Sequence, residues 1–134
     1  MDLREVGGNA FTTHCLIRTH GRKSGRTFIT PLIYGDIGGE VVIVASKGGA
    51  DQHPDWYLNI RANPRVDFQV ATQAYRGTWR EPEDIERHAI WKFMLEIYPP
   101  YLAYQTSTKR RIPVVMMSPR EAIDVFRSDE LQST

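Results

Sequence analysis

Residues 14–45 read HCLIRTHGRKSGRTFITPLIYGDIGGEVVIVA, and the fold turns on them. Residues 14–19 mix apolar and polar side chains in the manner of a strand. Gly21-Arg22-Lys23-Ser24-Gly25 then makes a turn with glycine at each end. Residues 27–34 are β-branched and aromatic and return as the hairpin partner. Pro31 marks this second strand as an edge or a bulge, because proline has no N–H to give to a ladder. Gly35-Asp36-Ile37-Gly38-Gly39 reads as the next turn. Val41-Val42-Ile43-Val44-Ala45 is apolar at every position, which predicts a central strand covered on both faces.

Working outward, residues 46–54 form a loop and residues 55–62 a short helix closed by Asn63-Pro64. Val66, Phe68 and Val70 alternate with Asp67 and Gln69, the period of a half-buried strand, and residues 75–79 are its hairpin mate. Pro82-Glu83-Asp84 opens the main helix with acidic residues at its positive end. Ile85, Ala89, Phe93 and Ile97 fall at i+4 steps along it, with Ile90, Met94 and Tyr98 on the next row. Pro99-Pro100 ends it. Residues 112–117 are a last strand, and residues 119–126 are expected to form a short helix. The pattern is α+β, mainly β: five or six short strands with one long helix and a few short ones. Without a βαβ alternation it predicts a small antiparallel barrel with the helices packed outside. One domain is expected over residues 1–134, with 1–9 and 128–134 as loose ends.

Composition narrows the function. Of the 134 residues, 41% are hydrophobic and 25% charged, as in an ordinary globular protein. Lys plus Arg is 17 against 16 Asp plus Glu, a net charge of +1, so a general nucleic-acid binder is not expected. Cys15 is the one cysteine, which excludes an internal disulfide and a cysteine-rich zinc site. His14, His20, His53 and His88 show no metal spacing, so no metal is expected. The N-terminus has no apolar leader and no stretch is long enough to span a bilayer, which points to the cytoplasm.

Four segments carry candidate chemistry. The basic turn from Arg22 to Arg26 sets three cations beside glycine N–H groups, which suits a phosphate or carboxylate and equally a solvated hairpin tip. Ser46-Lys47-Gly48-Gly49 follows the apolar strand, where glycines allow a backbone to approach a ligand; it is neither a Walker loop nor GxGxxG. Trp56 and Asn59 share a helix face and offer a ring beside an amide, or a core residue beside a helix-end bond. Tyr98, Tyr101 and Tyr104 could line a pocket mouth and supply hydroxyl protons, or pack as an aromatic cluster. Lys109-Arg110-Arg111 reads as a wet basic surface.

The ordered set of motifs is more specific than any member. Gly21-Arg22-Lys23-Ser24-Gly25, Thr30-Pro31-Leu32, Val44-Ala45-Ser46-Lys47-Gly48-Gly49 and Pro54-x-Trp56-Tyr57-x-Asn59 come first. Ala62-Asn63-Pro64-x-Val66, Tyr98-Pro99, Tyr104-Gln105 and Arg111-Ile112-Pro113-Val114-Val115 follow. Over residues 21–119 the chain resembles the deazaflavin-dependent nitroreductase family, the quinone reductases that use reduced coenzyme F420. The resemblance implies a split β-barrel of the FMN-binding type and an oxidoreductase with coenzyme F420, an 8-hydroxy-5-deazaflavin, as cofactor.

By the same resemblance, Arg22 and Lys23 hold the phosphate and acidic tail. Arg26 replaces a cation that the family carries at the position of Phe28. Val44, Ala45, Ser46, Lys47 and Gly48 lie along the ring, and Pro31, Trp56 and Asn59 border the groove. Ser46, Tyr98, Tyr101 and Tyr104 face the acceptor. Ile33 stands where relatives carry tyrosine, which changes the expected acceptor range. The implied partner is a small hydride acceptor, a quinone, nitroaromatic or activated enone, and no nucleic acid. Peripheral membrane contact to reach a quinone, and a monomer or a homodimer, both fit. An FMN-binding reductase and a non-catalytic carrier of the deazaflavin or a lipid-like ligand are the alternatives.

Overall fold

The computed structural model describes residues 14–131. Seven strands form one antiparallel sheet: β1 (His14–His20), β2 (Thr27–Ile33), β3 (Gly35–Ile37), β4 (Glu40–Val44), β5 (Val66–Val70), β6 (Gln73–Arg80) and β7 (Val114–Ile123). Their order across the sheet is β2-β1-β5-β6-β7-β4-β3. Among the described residues four α-helices accompany them, α1 (Asp55–Ala62), α2 (Asp84–Ile97), α3 (Pro100–Thr106) and α4 (Ser128–Leu131), with a single 3-10 turn at Lys47–Gly49. The sheet curls into the expected split barrel, with side chains of β1, β4, β5 and β7 meeting inside it.

The opening hairpin forms as read. Gly21 N–H donates to the Arg26 carbonyl at 2.7 Å and Gly25 N–H to the Gly21 carbonyl at 2.8 Å, which closes the basic turn. Pro31 lies opposite Leu16 on β2, the outermost strand, where its missing N–H costs the ladder nothing. β4 is apolar on both faces because it has two cores to fill. Val41, Ile43 and Ala45 point into the barrel with Cys15, Ile17, Phe68, Val115 and Met117. Val42 and Val44 point outward against Ile90, Met94, Tyr101 and Ile112. Burial pushes the Cys15 thiol up to about 12, so it is an inert core residue.

The structure departs from the sequence reading, or sharpens it, at several elements. Residues 35–37 are not a turn but strand β3, with Gly35 opposite Val42. A side chain at Gly35 would stand 2.7 Å from Phe93 and 2.8 Å from Ile97, so glycine is what lets α2 lie on this strand. On α2 the deeply buried row is Ile90 and Met94, while Ile85 is 87% exposed. Pro99-Pro100 ends α2 as expected, yet Pro100 then starts α3, since proline is tolerated in a helix's first turn.

Residues 119–126 form no helix either. β7 continues through Ile123, paired with β6 as far as Ala74. The register shift between Arg76 and Gly77 seats Pro119 opposite Gly77, and pairing resumes beyond it. A longer ladder with Phe126 buried against Ile29 and Ala74 outweighs a short helix with few apolar positions. Residues 128–131, expected to be loose, form α4, whose Glu130 meets Arg18 at 2.8 Å. The loose ends expected at 1–9 and 132–134 lie outside the described residues.

Candidate functional site

Two cavities share β2 as a wall. The first, about 460 Å³, is lined by Arg22, Lys23 and Ser24 of the basic turn, Thr19 of β1, Phe28 and Thr30 of β2, and Asp55, Trp56 and Asn59 of α1. The second, about 250 Å³, is lined by Pro31, Leu32 and Ile33 of β2, Val44, Ser46 and Gly48, His14, and Tyr98, Tyr101 and Tyr104. Thr30 therefore faces one cavity and its neighbour Pro31 the other.

In the first cavity the cation is held in place before any ligand arrives. Asn59 Oδ1 accepts from the Arg22 backbone N–H at 3.1 Å and from Arg22 Nη1 at 2.8 Å. Arg22 Nη2 donates to Asp55 Oδ1 at 3.2 Å. With Oδ1 so occupied, Asn59 keeps its Nδ2 as a donor. Trp56 is buried in the barrel core and also walls this cavity, so the two readings of that residue hold together. Arg26 lines neither cavity; its guanidinium sits 5.6 Å from the Phe28 ring centre, stacked behind the wall.

The loop after β4 is left-handed. Ser46 is in the right-handed helical region at φ −82°, and Lys47, Gly48 and Gly49 follow at φ 47°, 63° and 85°. A right-handed residue followed by a left-handed one turns successive N–H groups to one side, the form of an anion-binding nest. Gly49 must be glycine for a second reason: a side chain there would stand 2.9 Å from the Tyr104 backbone. Gly48 has open space, so only its φ asks for glycine.

Arg110 braces this loop. Its Nη2 donates to the Ser46 carbonyl at 2.7 Å, Nε to the Ala50 carbonyl at 2.7 Å, and Nη1 to the Ala45 carbonyl at 3.2 Å and His53 Nδ1 at 3.1 Å. Ser107 Oγ adds a bond to the Gly49 carbonyl at 2.9 Å. The reading of 109–111 as a wet surface is thus wrong for Arg110. Burial, then the Arg110 charge, holds the His53 imidazole below its ordinary range, which keeps Nδ1 free to accept.

Tyr98, Tyr101 and Tyr104 form one cluster. Tyr98 and Tyr101 ring centres are 4.9 Å apart, and Tyr98 Oη lies 3.3 Å from Tyr104 Oη. The hydrogen bond to Tyr104 raises the Tyr98 phenol, and burial raises that of Tyr101, so both stay protonated at neutral pH. They pack on one another and also line the cavity.

Of the residues expected at the site, Arg22, Lys23, Trp56 and Asn59 meet in the first cavity. Pro31, Val44, Ser46, Gly48, Tyr98, Tyr101 and Tyr104 meet in the second. Lys47 is exposed and lines neither. Ala45 is fully buried; its N–H donates to the Pro113 carbonyl and its own carbonyl accepts from Arg110, so it supports the loop from within. Sequence reasoning passed over Thr19 and gave Ser24, Phe28 and Asp55 no binding role, although Ser24 and Asp55 lie in candidate segments and the position of Phe28 was noted. Thr19 left a signal: it is the polar member of the inward row Cys15, Ile17, Thr19.

The chain's match to the family model described as F420H(2)-dependent quinone reductase spans residues 4–119. The chain belongs to that family. Coenzyme F420 is accordingly its cofactor and it is an oxidoreductase. An F420H(2)-dependent quinone reductase of Mycobacterium tuberculosis is 36% identical over 108 residues, covering 78% of this chain and 72% of that protein. A solved F420-H2 dependent reductase, FDR-A, is 43% identical with a TM-score of 0.73, covering 79% of this chain and 94% of that one. A second solved structure with the same identity and TM-score, covering 79% of this chain and 80% of its own, is a domain-swapped dimer.

Proposed function

We propose that this chain is a one-domain reductase that passes a hydride from reduced coenzyme F420 to a quinone. The observation that carries the reading is the pair of cavities across β2, one cationic and one rimmed by tyrosine hydroxyls. When bound, the reduced deazaflavin supplies a hydride from C5; carbon at that position favours two-electron transfer.

The residues suit such a cofactor. Arg22 and Lys23 are fixed charge for the phosphate and acidic tail, and Asn59 and Asp55 keep Arg22 aimed without reorganisation. The turn at Ser46, Lys47 and Gly48 offers backbone N–H groups where a ring's polar edge gains negative charge, while the Lys47 side chain stays in solvent. Tyr98, Tyr101 and Tyr104 carry hydroxyls that donate to an acceptor's oxygen and deliver the proton that follows hydride. Nitroaromatics and activated enones are likewise electron-poor hydride acceptors and belong to the expected acceptor range.

Among the described residues no helix is long and apolar enough to cross a membrane. Leu102, 55% exposed on α3, is an apolar side chain left on the surface of the helix that carries Tyr101 and Tyr104, which suits approach to a quinone carried in a lipid surface. The test is a fluorescence titration with coenzyme F420, with FMN in parallel, followed by single turnover of the reduced complex with a soluble quinone. Saturable deazaflavin binding and quinone-dependent oxidation support the reading. Binding of FMN alone refutes it, and tight deazaflavin binding with no oxidation by any acceptor class makes the protein a carrier.

A further inference from the structure

Thr19 is the last inward-facing residue of β1, after Cys15 and Ile17, and it is 0% exposed. Its backbone is used in the ladder opposite Phe28. Its side chain lines the cation-bearing cavity, and among the described residues its Oγ1 has no hydrogen-bond partner. A buried hydroxyl left unpaired is destabilising, and native proteins keep few of them. Two polar oxygens that line the same cavity already accept a hydrogen bond. Ser24 Oγ accepts from the Arg26 N–H at 3.1 Å, and Asn59 Oδ1 accepts from Arg22.

We infer that the Thr19 hydroxyl is a ligand-binding donor, kept for an anionic phosphate oxygen of the cofactor that Arg22 and Lys23 attract. The inference rests on the proposed function. Arg22 and Lys23 offer donors only, so whatever they hold presents acceptors to the rest of the cavity. A hydroxyl meets such an oxygen as a donor. It lies deeper than the cations, on a rigid strand, so it fixes where the anion sits, while the cations set how strongly it is drawn in. Thr19 is thereby a positioning residue for the cofactor.

The experiment compares wild type, Thr19→Val, Thr19→Ala and Thr19→Ser in the full chain. Coenzyme F420 affinity is read by fluorescence at low and moderate salt, and thermal unfolding is read without cofactor. Valine keeps the shape and deletes the hydroxyl. Its affinity is expected to fall about tenfold or more, the scale of a hydrogen bond to a charged acceptor. Serine retains affinity within about threefold by the same reckoning. The salt dependence of the valine variant stays that of wild type, because no charge is removed. Its cofactor-free melting temperature equals or exceeds wild type, because an unpaired buried hydroxyl is gone.

Valine affinity equal to wild type overturns the inference. So does a valine variant that melts lower or fails to fold, since the hydroxyl would then support the fold itself. Loss of affinity in the serine variant equal to that in valine also overturns it. Failure of the wild-type protein to bind the deazaflavin refutes the proposed function, and is told apart from these outcomes by its presence before any substitution.

Discussion

Replacing Arg110 by alanine separates a loop brace from a surface charge. The guanidinium makes four contacts, to the Ala45, Ser46 and Ala50 carbonyls and to His53 Nδ1. Each bond from a charged donor is worth up to roughly 1.5–3 kcal/mol when buried, but Arg110 is only half-buried and water replaces part of each. Retaining ~0.5–1 kcal/mol per contact gives about 2–4 kcal/mol in all. For a chain of this size that is a fall in Tm of about 6–15 °C. An ordinary surface arginine would cost less than about 0.5 kcal/mol.

The effect is also local. Lys47 is held at φ 47°, a conformation costing a non-glycine residue on the order of 1 kcal/mol, and without its brace the loop relaxes. Hydrogen exchange at the Gly49 and Ala50 amides, which donate to the Ser46 and Lys47 carbonyls, therefore speeds up more than exchange in β5 or β6. Cofactor affinity falls with it, although Arg110 lines neither cavity of the site. Arg110→Lys recovers only part, because an ammonium cannot span three carbonyls as a planar fork does. An alanine variant with wild-type Tm and unchanged exchange at Gly49 and Ala50 would refute the brace.

Three further outcomes follow from the same geometry. Changing Arg22 and Lys23 together to alanine should weaken coenzyme F420 binding by about tenfold or more at low salt, with the gap to wild type narrowing as salt rises; an unchanged low-salt titration would remove these cations from the site. Gly49→Ala should cost about 2–4 kcal/mol because it meets Tyr104 and Ser107 as well as an unfavourable φ, whereas Gly48→Ala should cost only about 1 kcal/mol, and equal losses on urea unfolding would contradict the packing. The His53 imidazole titrates below its ordinary 6.5 in the folded state, so the unfolded state takes up the proton first, and stability is lost as pH falls through 6.5 toward the lower folded value. His53→Gln should flatten part of that slope in Tm measured from pH 8 down to pH 5, and a slope that survives intact would assign it to other groups.

What the sequence disclosed and what it hid have separate physical causes. Signals that live within one element were readable. The unbroken apolar run of β4 announced two covered faces, and Pro31 announced an edge. Gly35 misled because its role is set by α2 lying over it, and residues 119–126 misled because a bulge at Gly77 admits a proline that would otherwise end the strand. The basic turn and the tyrosines were legible as residue types, but their division into two cavities depends on β2 standing between them.

Arg110 shows the limit most sharply. Nothing in Lys109-Arg110-Arg111 distinguishes its middle member. Its role follows from β4 pairing with β7, which sets Val44 opposite Val114 and so brings the residues entering β7 beside the loop leaving β4. The same pairing explains why the left-handed turn can persist. Its carbonyls are answered from a segment some sixty residues away, by Arg110 and Ser107. A turn whose strain is met by distant groups keeps its N–H groups aimed whether or not a ligand is present. That preorganisation is what an electrostatic site needs, because any reorientation would be subtracted from binding. The turn after β4 therefore belongs to two chain segments at once, and on the proposed function substitutions after α3 should alter cofactor affinity as surely as substitutions after β4.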